Sequence, residues 1–256
     1  MRRIHVVRLF AAVILLSGAG PSFAQRAEPI AADRPGLGDG SALMGARQLQ
    51  VEAGYAYSAA GAVRRHALGA VLVRYGLGDR VEVRGLLNSY VVQPRPEEAS
   101  GFEDAGIGLK IAVAPGDGRP LGVPSLTLVL TAMLPTGTAP FGEDDVRSGI
   151  KLASDWALTS AQALSLNLSY ARQPGPDAVD LTASIGTSVP GTDGIGAFVG
   201  YGGSFPAGEV GDPVHYMEAG LTYLPDPDTQ FDVNGGLGLN GITPDFFIGF
   251  GVARRL

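Results

Sequence analysis

Along most of the chain, apolar residues alternate one by one with polar residues or glycine, in runs of about ten. In residues 48–57, Leu49, Val51, Ala53, Tyr55 and Tyr57 share one parity, while Gln48, Gln50, Glu52 and Gly54 share the other. Successive strand residues point to opposite faces, so such a run is a β-strand that meets a different solvent on each side. The same reading holds for residues 66–75, 81–88, 104–113, 125–134, 146–158, 164–170, 178–188, 195–205, 215–223, 230–239 and 245–255, which makes about twelve strands. An even number of ten-residue amphipathic strands predicts a single closed antiparallel transmembrane β-barrel, all-β, with lipid outside and polar groups inside. A soluble two-sheet sandwich alternates too and is the competing fold.

Connectors and aromatic residues favour the barrel. Residues 76–79, 159–161, 191–194 and 224–228 form tight turns at one end, whereas 89–103, 135–145, 172–177 and 206–213 are longer or more polar at the other. Short periplasmic turns opposite longer external loops are expected of outer-membrane barrels. Residues 114–124 are an exception, long where a tight turn is expected. Aromatic residues of apolar parity gather at strand ends: Tyr57, Tyr170, Phe205 and Phe246 externally, and Tyr75, Trp156, Tyr223 and Phe231 on the periplasmic side. Amphipathic rings at these two levels suit the two membrane interfaces.

The first residues read differently. Arg2, Arg3 and Arg8 precede the apolar run Leu9 to Leu16, and Ser22-Phe23-Ala24 is a small-x-small cleavage site, so residues 1–24 are expected to be a secretory signal peptide. Residues 25–46 would then be a periplasmic tail or a plug folded into the lumen, and 47–256 the barrel in the outer membrane of a Gram-negative bacterium. Beyond residue 24 no apolar run reaches the length of a membrane-spanning helix. The 256 residues contain no cysteine, which excludes disulfides and thiolate metal sites, and 38 glycines, about twice the usual share. Three of the 19 basic residues would leave with the leader, so against 25 acidic residues the mature charge is about −9 and nucleic acid is not an expected partner.

Candidate chemistry is sparse. Once His5 leaves with the leader, His66 and His215 remain. Parity places His66 inward and His215 outward, with Ser204 of the adjoining strand pointing inward, so no histidine–serine pair forms and no catalytic residue is assigned. Glu143, Asp144 and Asp145, and Asp226 with Asp228, lack the spacing of a calcium loop, so no metal or cofactor is expected. The inward charges stand out: Glu52, Arg74, Glu82, Arg84, Asp104 and Lys110, with Arg147, Lys151 and Asp155 beyond. They read either as a selectivity lining or as a rigidifying salt-bridge ladder. A turn centred near Gly78 puts Tyr75 opposite Val81, Arg74 opposite Glu82 and Leu72 opposite Arg84, which favours the ladder. Later strands point glycines inward, among them Gly200, Gly202, Gly220, Gly236 and Gly251, which implies either lumen volume or tight strand approach. Asp33, Arg34 and Pro35 would bind the charge band if residues 25–46 form a plug.

Several segments resemble one known family. Asp33-Arg34-Pro35-Gly36, the strand from Arg47 to Tyr57, the run from Arg74 to Glu82, the run from Asp104 to Lys110, Leu134-Pro135-Thr136-Gly137, Asn240-Gly241 and Pro244-Asp245-Phe246-Phe247 are similar to the phenol-degradation meta-pathway (MetA) transporter-like outer-membrane proteins. The resemblance spans nearly all the mature chain and implies an outer-membrane barrel with a transport role and no catalytic residues. Such barrels usually end in an aromatic residue read by the barrel assembly machinery, whereas Leu256 occupies that slot here with the same outward parity as Phe246 and Phe250. The expected function is passive passage of small solutes, aromatic or hydrophobic ones included. Tyr90, Phe102, Phe198, Tyr216 and Phe247 are candidate solute contacts, and outer-membrane lipid and lipopolysaccharide are surrounding partners. The alternative is a non-conducting structural or adhesion barrel shut by its own charges. A lipid-modifying enzyme is a third class.

Overall fold

The computed structural model describes residues 28–173, 175–208 and 211–256, so the signal-peptide reading of residues 1–24 lies outside the described residues. Fourteen strands form one antiparallel sheet: β1 (Leu49–Ala60), β2 (Val63–Gly76), β3 (Val81–Leu87), β4 (Tyr90–Arg95), β5 (Ala99–Phe102), β6 (Gly106–Ala114), β7 (Ser125–Met133), β8 (Arg147–Ala157), β9 (Gln162–Ala171), β10 (Ala178–Ser188), β11 (Ile195–Pro206), β12 (Val214–Asp226), β13 (Thr229–Gly238) and β14 (Phe246–Arg255). β1 pairs with β14 on one side and β2 on the other, which closes the sheet into a barrel. The two halves of β2 pair with β3 and β4, so β3 and β4 are one wall strand interrupted at Asn88-Ser89. β5 and β6 likewise make one strand across residues 103–105. The wall is therefore twelve-stranded.

The alternation now has a physical partition. Leu152, Leu168, Leu181, Val199, Phe231 and Phe250 are exposed on the outside, while Gln50, Glu52, Arg74, Glu82 and Lys110 are fully buried inside. A water-soluble protein would reverse this order, because ions keep water and apolar side chains lose it. Hydrocarbon around a closed wall leaves no unpaired strand edge and accounts for both halves of the pattern. Among the described residues no helix is long and apolar enough to cross a membrane. Arginine in place of Leu152, outward near the middle of β8, is expected to cost about 2–4 kcal/mol if that position faces the bilayer midplane. Urea-dependent folding into vesicles measures the loss, and an unchanged folding free energy would contradict the lipid-facing assignment.

Three local features differ from the sequence reading. Residues 89–103, read as one long external loop, contain β4 and β5, and the connection shrinks to residues 96–98. Pro94 and Pro96 disguise the short alternation there, because proline is confined to edges and turns. The β2–β3 register is displaced by two residues: Arg74 faces Arg84, Tyr75 faces Val83 and Gly76 faces Glu82. The connection uses all four of Leu77, Gly78, Asp79 and Arg80, and Leu77 N–H donates to Val81 C=O at 2.9 Å. A two-residue shift preserves every face, so the inward set survives while its pairing changes.

The third difference is His66. A bulge in β2, with positive φ at Gly69 (104°) and Ala70 (43°), inverts the parity of the strand above it. His66 therefore pairs with Tyr57 on the outer wall and bonds Tyr55 Oη through Nδ1 at 2.8 Å. His215, outward as expected, makes the matching contact with Tyr201 Oη at 2.7 Å. The aromatic residues lie at the strand ends. Tyr57 and Phe246 have ring centroids 5.8 Å apart at the external end, and Tyr223 and Phe231 are directly paired at the periplasmic end. Tyr75, Trp156, Tyr170 and Phe205 occupy the corresponding outward positions of β2, β8, β9 and β11.

Candidate functional site: a charged lumen crossed by the N-terminal segment

Residues 28–46 lie inside the barrel. They enter beside the periplasmic turn between β12 and β13, where Ile30 N–H donates to Pro227 C=O at 2.7 Å and Arg255 Nη2 donates to Glu28 C=O at 2.7 Å. From there the backbone is held by inward side chains around the wall. Asp33 and Arg34 N–H groups donate to the two Glu52 carboxylate oxygens, both at 3.1 Å. Leu37 N–H donates to Glu218 Oε1 at 3.1 Å, Asp39 N–H to Asn167 Oδ1 at 2.9 Å, Ser41 N–H to Asp155 Oδ2 at 2.6 Å and Met44 N–H to Glu82 Oε2 at 2.9 Å. A chain without secondary structure must place its backbone groups somewhere, and here the wall supplies the acceptors.

Charge fastens the segment more firmly. Asp33 accepts from Arg84 at 2.7 Å and Lys110 at 2.9 Å, and lies 3.4 Å from Arg74. Arg74 also bonds Glu82 at 2.8 Å and Glu52 at 3.2 Å, and its Nη groups donate to the Ala31 and Ala42 carbonyls at 2.8 and 2.9 Å. The facing arginines Arg74 and Arg84 are thus neutralised diagonally by Glu82 and from the lumen by Asp33. The wall register alone would leave them repelling one another. Across the barrel, Arg34 pairs with Asp232 at 3.2 Å and donates to Phe250 C=O at 3.1 Å. Pro35 follows Arg34 at the point where the segment turns through Gly36, whose φ is +106°.

Glycine makes this passage sterically possible. A Cβ at Gly54 or Gly251 would collide with the Arg34 guanidinium, and one at Gly76 with the Gly45 carbonyl. Other inward glycines serve the aromatic rings of neighbouring strands: Tyr216 lies over Gly202, Phe198 over Gly220 and Phe247 over Gly236. At these three positions a ring takes the space that glycine opens, a packing that supports the strand across its missing side chain, whereas Gly186 and Gly196 border the periplasmic cavity. Phe198, Tyr216 and Phe247 are inward as expected. Tyr90 and Phe102, read as solute contacts, instead pair on the outer wall with centroids 4.9 Å apart. Their strand parity follows Leu68, which is exposed outside.

The remaining charged residues take separate tasks. Asp39 binds Lys151 and, at 2.9 Å, Arg84. Asp104 holds the external loop, accepting from Gly137 N–H at 2.8 Å, Glu143 N–H at 3.1 Å and Arg147 at 3.1 Å. Asp155 accepts from both the N–H and the hydroxyl of Ser41. Burial opposes the charged form of Asp39, but Lys151, Arg84 and Lys110 outweigh it and hold the carboxyl far below the usual aspartate range. A depressed value in the docked state means its contribution is complete above the ordinary pKa of about 3.9 and is lost only in stronger acid. The Asp39 carboxylate is therefore expected to keep its ion pairs down to about pH 4; protonation of Asp39 between pH 5 and 7, followed by carboxyl NMR shifts, would contradict them.

The segment divides the lumen. One cavity of about 460 Å³ lies on the external side, against Arg84, Asn88, Thr131, Asp180 and Tyr216. A second, of about 940 Å³, lies on the periplasmic side, against Ser125, Asp155, Phe198, Glu218 and Thr222. Asp33, Leu37 and Asp39 border both. Among the described residues no group of three or more histidine, cysteine or acidic side chains could hold a metal ion.

Residues 32–256 match the family described as "Putative MetA-pathway of phenol degradation". The chain belongs to that family. Among solved structures it is similar to an outer-membrane channel from Pseudomonas putida F1, with 15% identity, a TM-score of 0.66 and coverage of 87% of this chain and 100% of that one. It is also similar to the NanC porin, with 10% identity, a TM-score of 0.56 and coverage of 81% and 100%. The KdgM porin follows at 9% identity, a TM-score of 0.54 and coverage of 79% and 98%. At these identities the likeness establishes the shared barrel fold. No curated protein matches the chain.

The sequence reading identifies which charges face inward and that Asp33 and Arg34 would bind them from a plug, but not that Asp39 also joins the network through Arg84 and Lys151. The available signal was the excess of inward cations on β2, β3 and β6, since a buried charge requires a partner.

Proposed function

We propose that this protein is an outer-membrane channel for passive passage of small solutes, with residues 28–46 as a resident plug that divides its lumen. The observation that carries this reading is the pair of cavities, about 460 and 940 Å³, lined by both charged and apolar side chains inside a wall whose outer surface is apolar. A purely structural barrel has no need of such volume, because about eight strands already close a wall whose interior side chains fill. Tyr216 in the external cavity and Phe198 in the periplasmic one offer ring faces beside hydrogen-bonding groups, a combination that suits small aromatic or amphipathic solutes. Membership of the phenol-degradation family and the channel and porin neighbours support the same reading. The outer membrane of a Gram-negative bacterium, its lipopolysaccharide and the barrel assembly machinery are the surroundings this implies.

Purified, folded protein in planar bilayers is expected to give discrete conductance steps, and liposomes containing it to swell in small sugars and phenols. Folded protein that gives neither would overturn the channel assignment. A second reading, a barrel closed at rest, is favoured by the ion pairs that lock Asp33 and Arg34 to opposite walls. Its distinguishing result is conductance that appears only when the segment is removed.

A further inference from the structure

Among the described residues the lumen's positive charges are all paired, and its negative charges are not. Arg34, Arg65, Arg74, Arg84, Lys110, Arg147 and Lys151 each have a carboxylate oxygen within 3.2 Å. Three inward carboxylates form no ion pair among the described residues. Asp180 is held by the hydroxyls of Ser169 and Ser204 at 3.1 and 2.6 Å, and Asp155 by Ser41 and by Ser165, whose hydroxyl donates at 2.5 Å. Glu218 receives Leu37 N–H on Oε1, while its Oε2 is buried without a partner.

These three are arranged by depth. Asp180 is two residues from the external end of β10 and borders the external cavity. Glu218 lies midway along the external half of β12, and Asp155 is near the periplasmic end of β8. Both border the periplasmic cavity. They occupy the β8–β12 side, facing the neutralised cluster on β2, β3 and β6. The orphaned oxygen matters most. Glu218 is only 6% exposed, and a buried carboxylate oxygen without a donor is costly unless the group takes up a proton or a cation in the cavity meets it. Neutral donors hold Asp155 and Asp180 in place without cancelling their charge, so the field along this wall remains negative. Low-dielectric walls focus such a field onto whatever passes.

Resting on the channel reading, we infer that the lumen selects cations, inorganic or organic ammonium, along the wall marked by Asp180, Glu218 and Asp155, with Glu218 Oε2 as a cation-binding subsite. Anions meet no free positive charge on this route. The Phe198 ring, which borders the same cavity as Glu218, offers its face to an organic cation.

The test is the reversal potential of the full-length protein in planar bilayers under a KCl gradient, repeated with tetramethylammonium chloride. The expected result is a shift toward the cation equilibrium potential, with cations several times more permeant than chloride. A reversal potential at zero or toward chloride, from a channel that conducts, would overturn the inference while leaving the channel assignment standing; no conductance at all would fail that assignment instead. Glu218→Gln and Asp180→Asn are each expected to lower the cation preference, and together to bring it near unity. Asp226→Asn, at the periplasmic rim and paired with Arg254, is expected to leave the preference unchanged. An equal shift from Asp226→Asn, or none from the two lumen variants once folded, would remove these carboxylates as its source.

Discussion

Deleting residues 28–46 is expected to raise single-channel conductance severalfold while the barrel stays folded. The segment separates the external cavity from the larger periplasmic one, and Asp33, Leu37 and Asp39 are the residues common to both. Removing it joins the two volumes. The wall does not depend on the segment for closure, since every neighbouring strand pair from β1 round to β14 and back is hydrogen-bonded directly. The deletion does strip partners from Arg74, Arg84 and Lys110, but it also admits water, which can solvate them. The loss should therefore appear as a lower melting temperature rather than failure to assemble. Bilayer recordings together with gel mobility of heated and unheated protein check both parts. A correctly folded deletion variant with wild-type conductance would remove the plug from the proposed function.

The largest single-residue effect is expected from Asp33→Ala. Asp33 is 6% exposed in its side chain and receives Arg84, Lys110 and Arg74 at once. Breaking a buried ion pair by removing one partner typically costs about 3–5 kcal/mol, because the remaining charge is left uncompensated. Here the chain has a way to avoid that cost: the segment can leave and let water reach the cations. The expected outcome is a shift toward the undocked state, seen as rapid protease cleavage near residues 28–46 and as larger, noisier conductance. Asp33→Asn keeps the acceptor oxygen without the charge and should fall between wild type and alanine. If Asp33→Ala matches wild type in protease resistance, melting temperature and conductance, the network around Asp33 does not hold the segment.

Much of the wall is legible in the alternation of the sequence itself. β10 spans the same residues, 178–188, that strict alternation marks out, and β7, β11 and β14 differ by one residue at an end. The reason is that a strand separating two solvents writes its period directly into its side chains. Pairing was less legible. A two-residue register shift leaves all faces intact, so no hydrophobic pattern could tell Arg74 opposite Glu82 from Arg74 opposite Arg84. The outward turn of His66 was hidden for a related reason: a one-residue bulge at Gly69-Ala70 reverses parity without changing composition. β4 and β5 escaped because two prolines interrupt a short run.

The inner surface divides in the same way. The inward charges of β1, β2, β3 and β6 follow from parity, yet their energetic meaning depends on residues from a segment that does not alternate at all. Inward glycines could equally have meant open volume. The rings of Tyr216, Phe198 and Phe247 make packing slots of Gly202, Gly220 and Gly236, Gly54 and Gly251 make room for Arg34, and Gly186 and Gly196 border open volume.

The sequence by itself determined the closed amphipathic wall, the face of nearly every strand residue and the ends at which aromatic rings collect, because each of these depends only on neighbours one or two residues away. Tertiary structure alone decided which charges neutralise which, that residues 28–46 occupy the lumen, and that Asp155, Asp180 and Glu218 meet no cation among the described residues. Those outcomes depend on side chains far apart in the chain, such as Asp33 with Lys110 and Arg34 with Asp232. Such distances are set by barrel closure, which no local period records.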